Sequence, residues 1–160
     1  ALWAFGETGM TDQAPLIPEI SGSRAVLVVD DAAVVRRLAF RLLAEAGYRV
    51  FEAGRAAEAL EVLGMAQGKV ELVLIDVVLP EVSGVDLARM VREVSPAARV
   101  VFMSAFPAEV LVQEGLRDPK VQFLAKPFTR EELLATVARA LEPPARAQDS
   151  RTTSPRPRES

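Results

Sequence analysis

The sequence contains no cysteine and no histidine. The first absence excludes a disulfide framework, a zinc ribbon, an iron–sulfur centre and a thiol nucleophile. The second excludes a Ser-His-Asp triad, an imidazole general base and histidine-ligated metals. Chemistry in this chain must use carboxylates, hydroxyls, lysine, arginine and backbone. No apolar run approaches the ~20 residues of a membrane helix. The N-terminus has no charged stretch followed by an apolar block, so no secretory signal is read. The expectation is a cytoplasmic protein without a membrane span. Ala1 stands where an initiator Met would, which predicts a fragment or a processed chain.

The 160 residues predict one domain at about 150 residues per domain. Charge divides them in three. Residues 1–23 carry Glu7, Asp12 and Glu19 and no basic residue, and read as an N-terminal linker or extension. Residues 143–160 carry four arginines, four prolines and a net charge of +2, and read as a disordered tail. Residues 24–142 carry a net charge of −2 and hold the domain. That near-neutral balance gives no electrostatic case for nucleic-acid binding.

Within 24–142, apolar runs alternate with helical patterns. Ala25 to Val29 ends at Asp30, Leu72 to Ile75 at Asp76, and Val100 to Met103 at Ser104. Val121 to Leu124 ends just before Lys126, and Tyr48 to Phe51 is a fifth, weaker run. Continuously apolar strands are buried on both faces, as in a parallel sheet. Between them, Val35, Leu38, Ala39, Leu42, Leu43 and Ala46 lie on one helical stripe. Ala56, Ala59, Leu60 and Leu63 form a second, and Leu87, Ala88, Val91 and Val94 a third. Leu134, Val137, Ala138 and Leu141 form the last, with Thr129 as N-cap and Glu132 three residues on. A shorter helix fits between Pro107 and Gly115. Met65, Met90 and Met103 read as core or edge filler. The alternation predicts an α/β fold, a doubly wound five-stranded parallel sheet with five helices.

Ligands of such sheets bind beyond the carboxyl ends of the strands. Asp30, Asp31, Asp76, Ser104 and Lys126 all fall there. Clustered carboxylates suit a hard cation such as Mg²⁺, and the lysine and hydroxyl suit a phosphoryl group. Taken singly, each residue has a plainer reading. Asp30 and Asp31 cap the following helix, Asp76 makes a turn, Ser104 ends a strand, and Lys126 is solvated. Their convergence on one rim favours the phosphoacceptor reading.

At these residues the sequence resembles the receiver domain of two-component response regulators. The matching pieces are Val28-Val29-Asp30-Asp31, Leu74-Ile75-Asp76-Val77-Val78-Leu79-Pro80, Met103-Ser104-Ala105 and Phe123-Leu124-Ala125-Lys126-Pro127-Phe128. The last two resemble receivers attached to hybrid histidine kinases; a single-domain regulator is the other reading. The resemblance implies a flavodoxin-like strand order, 2-1-3-4-5. It implies that Asp76 accepts a phosphoryl group from a phosphohistidine on a histidine kinase or histidine phosphotransfer protein. Asp31, Asp76 and the Val78 carbonyl would ligate Mg²⁺, with Asp30 acting through water. Ser104 and Lys126 would hold the phosphoryl oxygens. Lys126-Pro127 would be a cis peptide bond, and Phe123 a switch aromatic acting with Ser104. The helix after Pro107, the last strand and the last helix would form the face for a downstream partner or a second copy. Having no histidine, the chain depends on another domain or protein as phosphodonor.

Val78 and Phe106 depart from the family pattern. They stand two positions after Asp76 and Ser104, where family residues influence the water that attacks the aspartyl phosphate. Apolar side chains there predict slow self-dephosphorylation. Two alternatives remain: a degenerate receiver that binds partners without phosphate, and an aspartyl-nucleophile phosphatase. Haloacid-dehalogenase-like phosphatases carry a second Asp where Val78 stands, which counts against the second.

Overall fold

The computed structural model describes residues 24–106 and 122–142. Among them run β1 (Ala25–Val29), α1 (Ala33–Glu45), β2 (Arg49–Ala53), α2 (Ala56–Ala66), β3 (Val70–Asp76), α3 (Gly84–Val94), β4 (Arg99–Ser104), β5 (Gln122–Ala125) and α4 (Arg130–Leu141). The helix expected between Pro107 and Gly115 lies outside the described residues, as do both terminal segments and Val121. Every strand pair is parallel, and the order is β2-β1-β3-β4-β5. This is the sheet and the order expected.

The two-sided burial of the apolar runs explains the layers. Along β1, Leu27 and Val29 face one cluster and Val26 and Val28 the other. Leu27 and Val29 pack with Val73 and Ile75 of β3, Ala59 and Leu63 of α2, and Leu87 and Val91 of α3. Val26 and Val28 pack with Leu72 and Leu74 of β3, Ala39 and Leu43 of α1, and Leu133 and Val137 of α4. So α2 and α3 cover one face, and α1 and α4 the other. Each of the fully buried side chains Leu27, Leu72, Leu74 and Ile75 contributes about 1.5–3 kcal/mol of hydrophobic stabilisation.

Three helical stripes shift from expectation. In α4 the buried residues are Leu133, Thr136, Val137, Ala140 and Leu141, while Ala138 is exposed and Leu134 half-buried. The stripe turns by one residue because Leu133 and Leu134 are adjacent and either satisfies the period. In α1, Leu38 is exposed and Ala46 falls past the helix; in α3, Val94 is exposed. Met103 is core, and Met65 and Met90 are exposed.

Local chemistry fixes the ends of α4. Thr129 Oγ1 accepts from the Glu132 N–H, and the Glu132 carboxylate accepts from the Thr129 N–H, a complete capping box. At the other end, Arg24 Nη1 donates to the Leu141 carbonyl at 2.6 Å and Arg99 Nη1 to the Ala140 carbonyl at 2.6 Å. Arg99 also donates to the Glu142 carbonyl. Both guanidinium groups satisfy carbonyls that the helix itself leaves open and oppose its negative end.

Candidate functional site

The carboxyl ends of β1, β3, β4 and β5 meet at one rim. Because β1 and β3 are hydrogen-bonded neighbours, Asp30 and Asp76 leave the sheet side by side. Asp30 is fully buried and Asp76 nearly so. Asp30, Asp31 and Asp76 each bring a carboxylate oxygen to within 4.8 Å of the others. Lys126, one residue past β5, reaches across β4 to both buried acids. Its Nζ lies 2.6 Å from Asp30 Oδ2 and 3.0 Å from Asp76 Oδ2. The Lys126-Pro127 bond is cis, as expected.

The free oxygen of each buried acid is held by backbone. Asp30 Oδ1 accepts from the Ala32 N–H at 2.9 Å, and Asp76 Oδ1 from the Val78 N–H at 3.0 Å. The first contact closes a turn just before α1; the N-cap of that helix is Ala32 and no side chain caps it, so the capping reading of Asp30 and Asp31 does not hold. The second means that Val78 contributes backbone, while its side chain is 73% exposed.

Charge competition sets the ionisation. Burial pushes the Asp76 carboxyl above its ordinary value of 3.8, and the nearby Asp30 charge pushes the same way. The hydrogen bonds from Lys126 and Val78 pull it back without cancelling the rise. Burial alone would lower the Lys126 ammonium, but its bonds to Asp30 and Asp76 hold it above 10.5. The lysine is therefore a fixed positive charge at neutral pH.

Ser104 ends β4 and is buried; its Oγ accepts from the Phe106 N–H at 3.0 Å. Among the described residues nothing accepts from its own O–H. Phe123 in β5 is half-buried, its ring centroid 5.6 Å from that of Phe102. All the residues singled out from the sequence thus lie at this rim or on the strand leading to it.

Two residues of the site escaped the sequence reading. Gly84 opens α3 so close to β3 that an added Cβ would lie 2.3 Å from the Asp76 carbonyl oxygen and 2.8 Å from Val77 Cα. Its N–H donates to the Val77 carbonyl at 2.8 Å. The Ser83-Gly84 pair at a helix start was the available signal. Arg36, on the first turn of α1, donates to the Asp30 carbonyl at 2.7 Å. Nothing local in the sequence separates it from the exposed Arg37 beside it.

A parallel, doubly wound sheet with three carboxylates and a lysine at its switch point defines a class of small signalling domains. The chain belongs to the response regulator receiver domain family, whose model matches residues 26–138. It is 38% identical over 124 residues to sensor kinase CckA of Brucella abortus, covering 78% of this chain and 13% of that protein. It is 32% identical over 120 residues to the response regulator receiver protein CpdR of the same organism, covering 74% of this chain and 97% of that one. Against NtrC of Azospirillum brasilense it spans 25% of the relative's length. Among solved structures, the receiver domain of hybrid histidine kinase CckA superposes with a TM-score of 0.63 at 31% identity, covering 74% of this chain and 99% of that one. Chemotaxis protein CheY4 of Vibrio cholerae gives 0.66 at 29%, covering 75% and 100%.

Proposed function

We propose that this domain is a phosphoacceptor switch in two-component signalling, with Asp76 as the acceptor. The observation that carries the reading is the Lys126 ammonium held between Asp30 and Asp76 beside the Asp31 carboxylate. A structural ion pair needs one acid per base. This rim gathers three acids around one lysine, an excess of negative charge suited to a divalent cation.

The oxygen-only donor set of Asp31 and Asp76, with the Val78 carbonyl and a water held by Asp30, fits Mg²⁺. When bound, Mg²⁺ supplies positive charge to phosphoryl oxygens. The rest is done by this chain's residues. An Asp76 carboxylate oxygen attacks the phosphorus of a phosphohistidine on a histidine kinase or phosphotransfer protein. The P–O bond forms as the P–N bond breaks, and the imidazole leaves with that electron pair. Lys126 exchanges its bond to Asp76 for one to a phosphoryl oxygen, balancing the charge there while keeping its bond to Asp30. The free Ser104 O–H donates to another. Drawing Ser104 toward the phosphoryl group leaves room for Phe123 to turn inward, altering the face formed by β5, α4 and the segment after Pro107. That face would take a downstream partner or a second copy, placing the domain in a phosphorelay rather than among turnover enzymes. Cytoplasmic placement belongs to the same reading. None of the described helices is long and apolar enough to cross a membrane.

The test is beryllofluoride, an aspartyl-phosphate mimic, with and without Mg²⁺, read by amide NMR on the wild type and Asp76→Asn. Mg²⁺-dependent shifts at Ser104, Phe123 and the residues after Pro107, absent from the variant, are expected. A wild type that does not respond leaves the phosphate-independent scaffold as the function.

A further inference from the structure

We infer that Arg36 is a positioning residue for the metal-binding turn, holding the Asp30–Asp31 peptide so that Asp31 faces the other two acids. The inference rests on the phosphoacceptor reading above and extends it to a residue outside the rim.

Asp30 is gripped at every polar atom. Its N–H donates to the Ala53 carbonyl at 3.2 Å, Oδ1 accepts from Ala32, and Oδ2 accepts from Lys126. Its carbonyl, the oxygen of the peptide that leads into Asp31, accepts from Arg36 Nη1 at 2.7 Å. Asp31 is different. It is exposed, and among the described residues no hydrogen bond or ion pair holds its carboxylate. Its direction is therefore set through the backbone, and Arg36 fixes the peptide plane immediately before it.

Arg36 is itself fixed. Its Nε lies 3.3 Å from Glu52 Oε1 on β2, and both side chains are largely buried, 19% and 27% exposed. Gly54, just past β2, leaves the space the guanidinium occupies: a Cβ there would lie 3.3 Å from Arg36 Nη1. Three elements thus meet at the one guanidinium that holds this carbonyl: the first turn of α1, the edge strand β2 and the bend after it. A solvated surface arginine requires none of this. The planar guanidinium suits the task because one fork holds Glu52 through Nε and the carbonyl through Nη1.

Charge and positioning predict opposite signs. If Arg36 acts only as a nearby positive charge, removing it brings Mg²⁺ in more tightly. If it positions Asp31, removing it weakens binding, as loss of groups behind metal ligands generally does by about 10–100-fold. The experiment is calorimetric Mg²⁺ titration of the full chain as wild type, Arg36→Ala, Arg36→Lys and Gly54→Ala, with thermal melts of each. The expected result is roughly tenfold weaker Mg²⁺ binding in Arg36→Ala. Arg36→Lys, which keeps the charge but loses the fork, is also weakened. Gly54→Ala, which removes no polar group and only crowds the guanidinium, shows a smaller loss in the same direction. Unchanged or tighter binding in Arg36→Ala and Arg36→Lys, with the wild type binding Mg²⁺ normally, overturns the role of Arg36 alone. A wild type that binds no Mg²⁺ overturns the metal-dependent reading and this inference with it.

Discussion

Lys126 Nζ sits 3.0 Å from Asp76 Oδ2 although β4 separates β3, which ends at Asp76, from β5, which Lys126 follows. The lysine spans that gap because it follows the end of the shortest strand, and its N–H donates to the Ser104 carbonyl at 2.9 Å. Its backbone is anchored to β4 while its charge serves the centre of the sheet.

That geometry makes Lys126 a stability element, besides the phosphoryl-binding role proposed for it. Lys126→Ala leaves the buried Asp30 and Asp76 without a counter-charge. The expected loss is about 2–3 kcal/mol at neutral pH, below the full value for breaking a buried pair because the rim is open to water. Urea unfolding with and without Mg²⁺ checks this. Saturating Mg²⁺ should restore much of the loss, since it supplies the missing positive charge.

The raised Asp76 carboxyl predicts how Mg²⁺ binding depends on pH. A protonated Asp76 is a poorer ligand with one negative charge fewer, so protons compete with the metal. Apparent affinity should fall as pH drops, starting above the range expected for a carboxyl of ordinary value 3.8. The linkage to stability has the opposite sign. Without metal, the native state binds this proton more tightly than the unfolded chain, so this group's contribution grows as pH falls through its native pKa toward 3.8. Calorimetric titration across pH tests the first statement, and metal-free melts across the same range test the second.

Phosphate lifetime should be controlled by Val78 and Phe106, which are 73% and 65% exposed. Their backbone N–H groups hold Asp76 and Ser104, but their side chains have no group to orient an attacking water. Val78→Asn places an amide there without disturbing the core. It should shorten the lifetime of the phosphorylated form several-fold while leaving stability nearly unchanged. The decay of acetyl-phosphate-labelled protein on a phosphate-affinity gel measures it. A lifetime unaffected by the substitution would remove Val78 from the control of hydrolysis.

Gly84→Ala should be among the most damaging single-atom additions. Its Cβ would overlap the Asp76 carbonyl and Val77 Cα, both backbone, so α3 must move away from β3. Overpacking of this kind costs about 1–3 kcal/mol. Because the displaced atoms belong to Asp76 and Val77, Mg²⁺ affinity should fall along with the urea midpoint.

The fold was legible because two-sided burial writes itself as unbroken apolar runs, and three of the runs here stop at a polar residue of the rim, with Lys126 just past a fourth. Asp30, Asp76, Ser104 and Lys126 could be placed from that punctuation alone. The helix faces were less legible. In α4, adjacent leucines and small residues at 136, 138 and 140 let two stripes fit the same period, and only contact with Val26 and Leu72 decides for Leu133. Arg36 was not legible. Its inferred role lies in a carbonyl six residues back, in Glu52 on β2 and in Gly54 just past it, none of which is marked by local pattern.

The arginine latches at the end of α4 have a topological consequence. Arg24 stands just before β1 and Glu142 just after α4, and the Arg24 side chain grips the helix where the chain leaves it. Entry and exit are drawn to one spot, below the sheet and away from Asp76. Arg99, at the start of β4, holds the same helix end, so one cluster of carbonyls ties β1, β4 and α4 together. Cutting the latch would therefore part the two ends of the described segment and leave the acidic rim as it is.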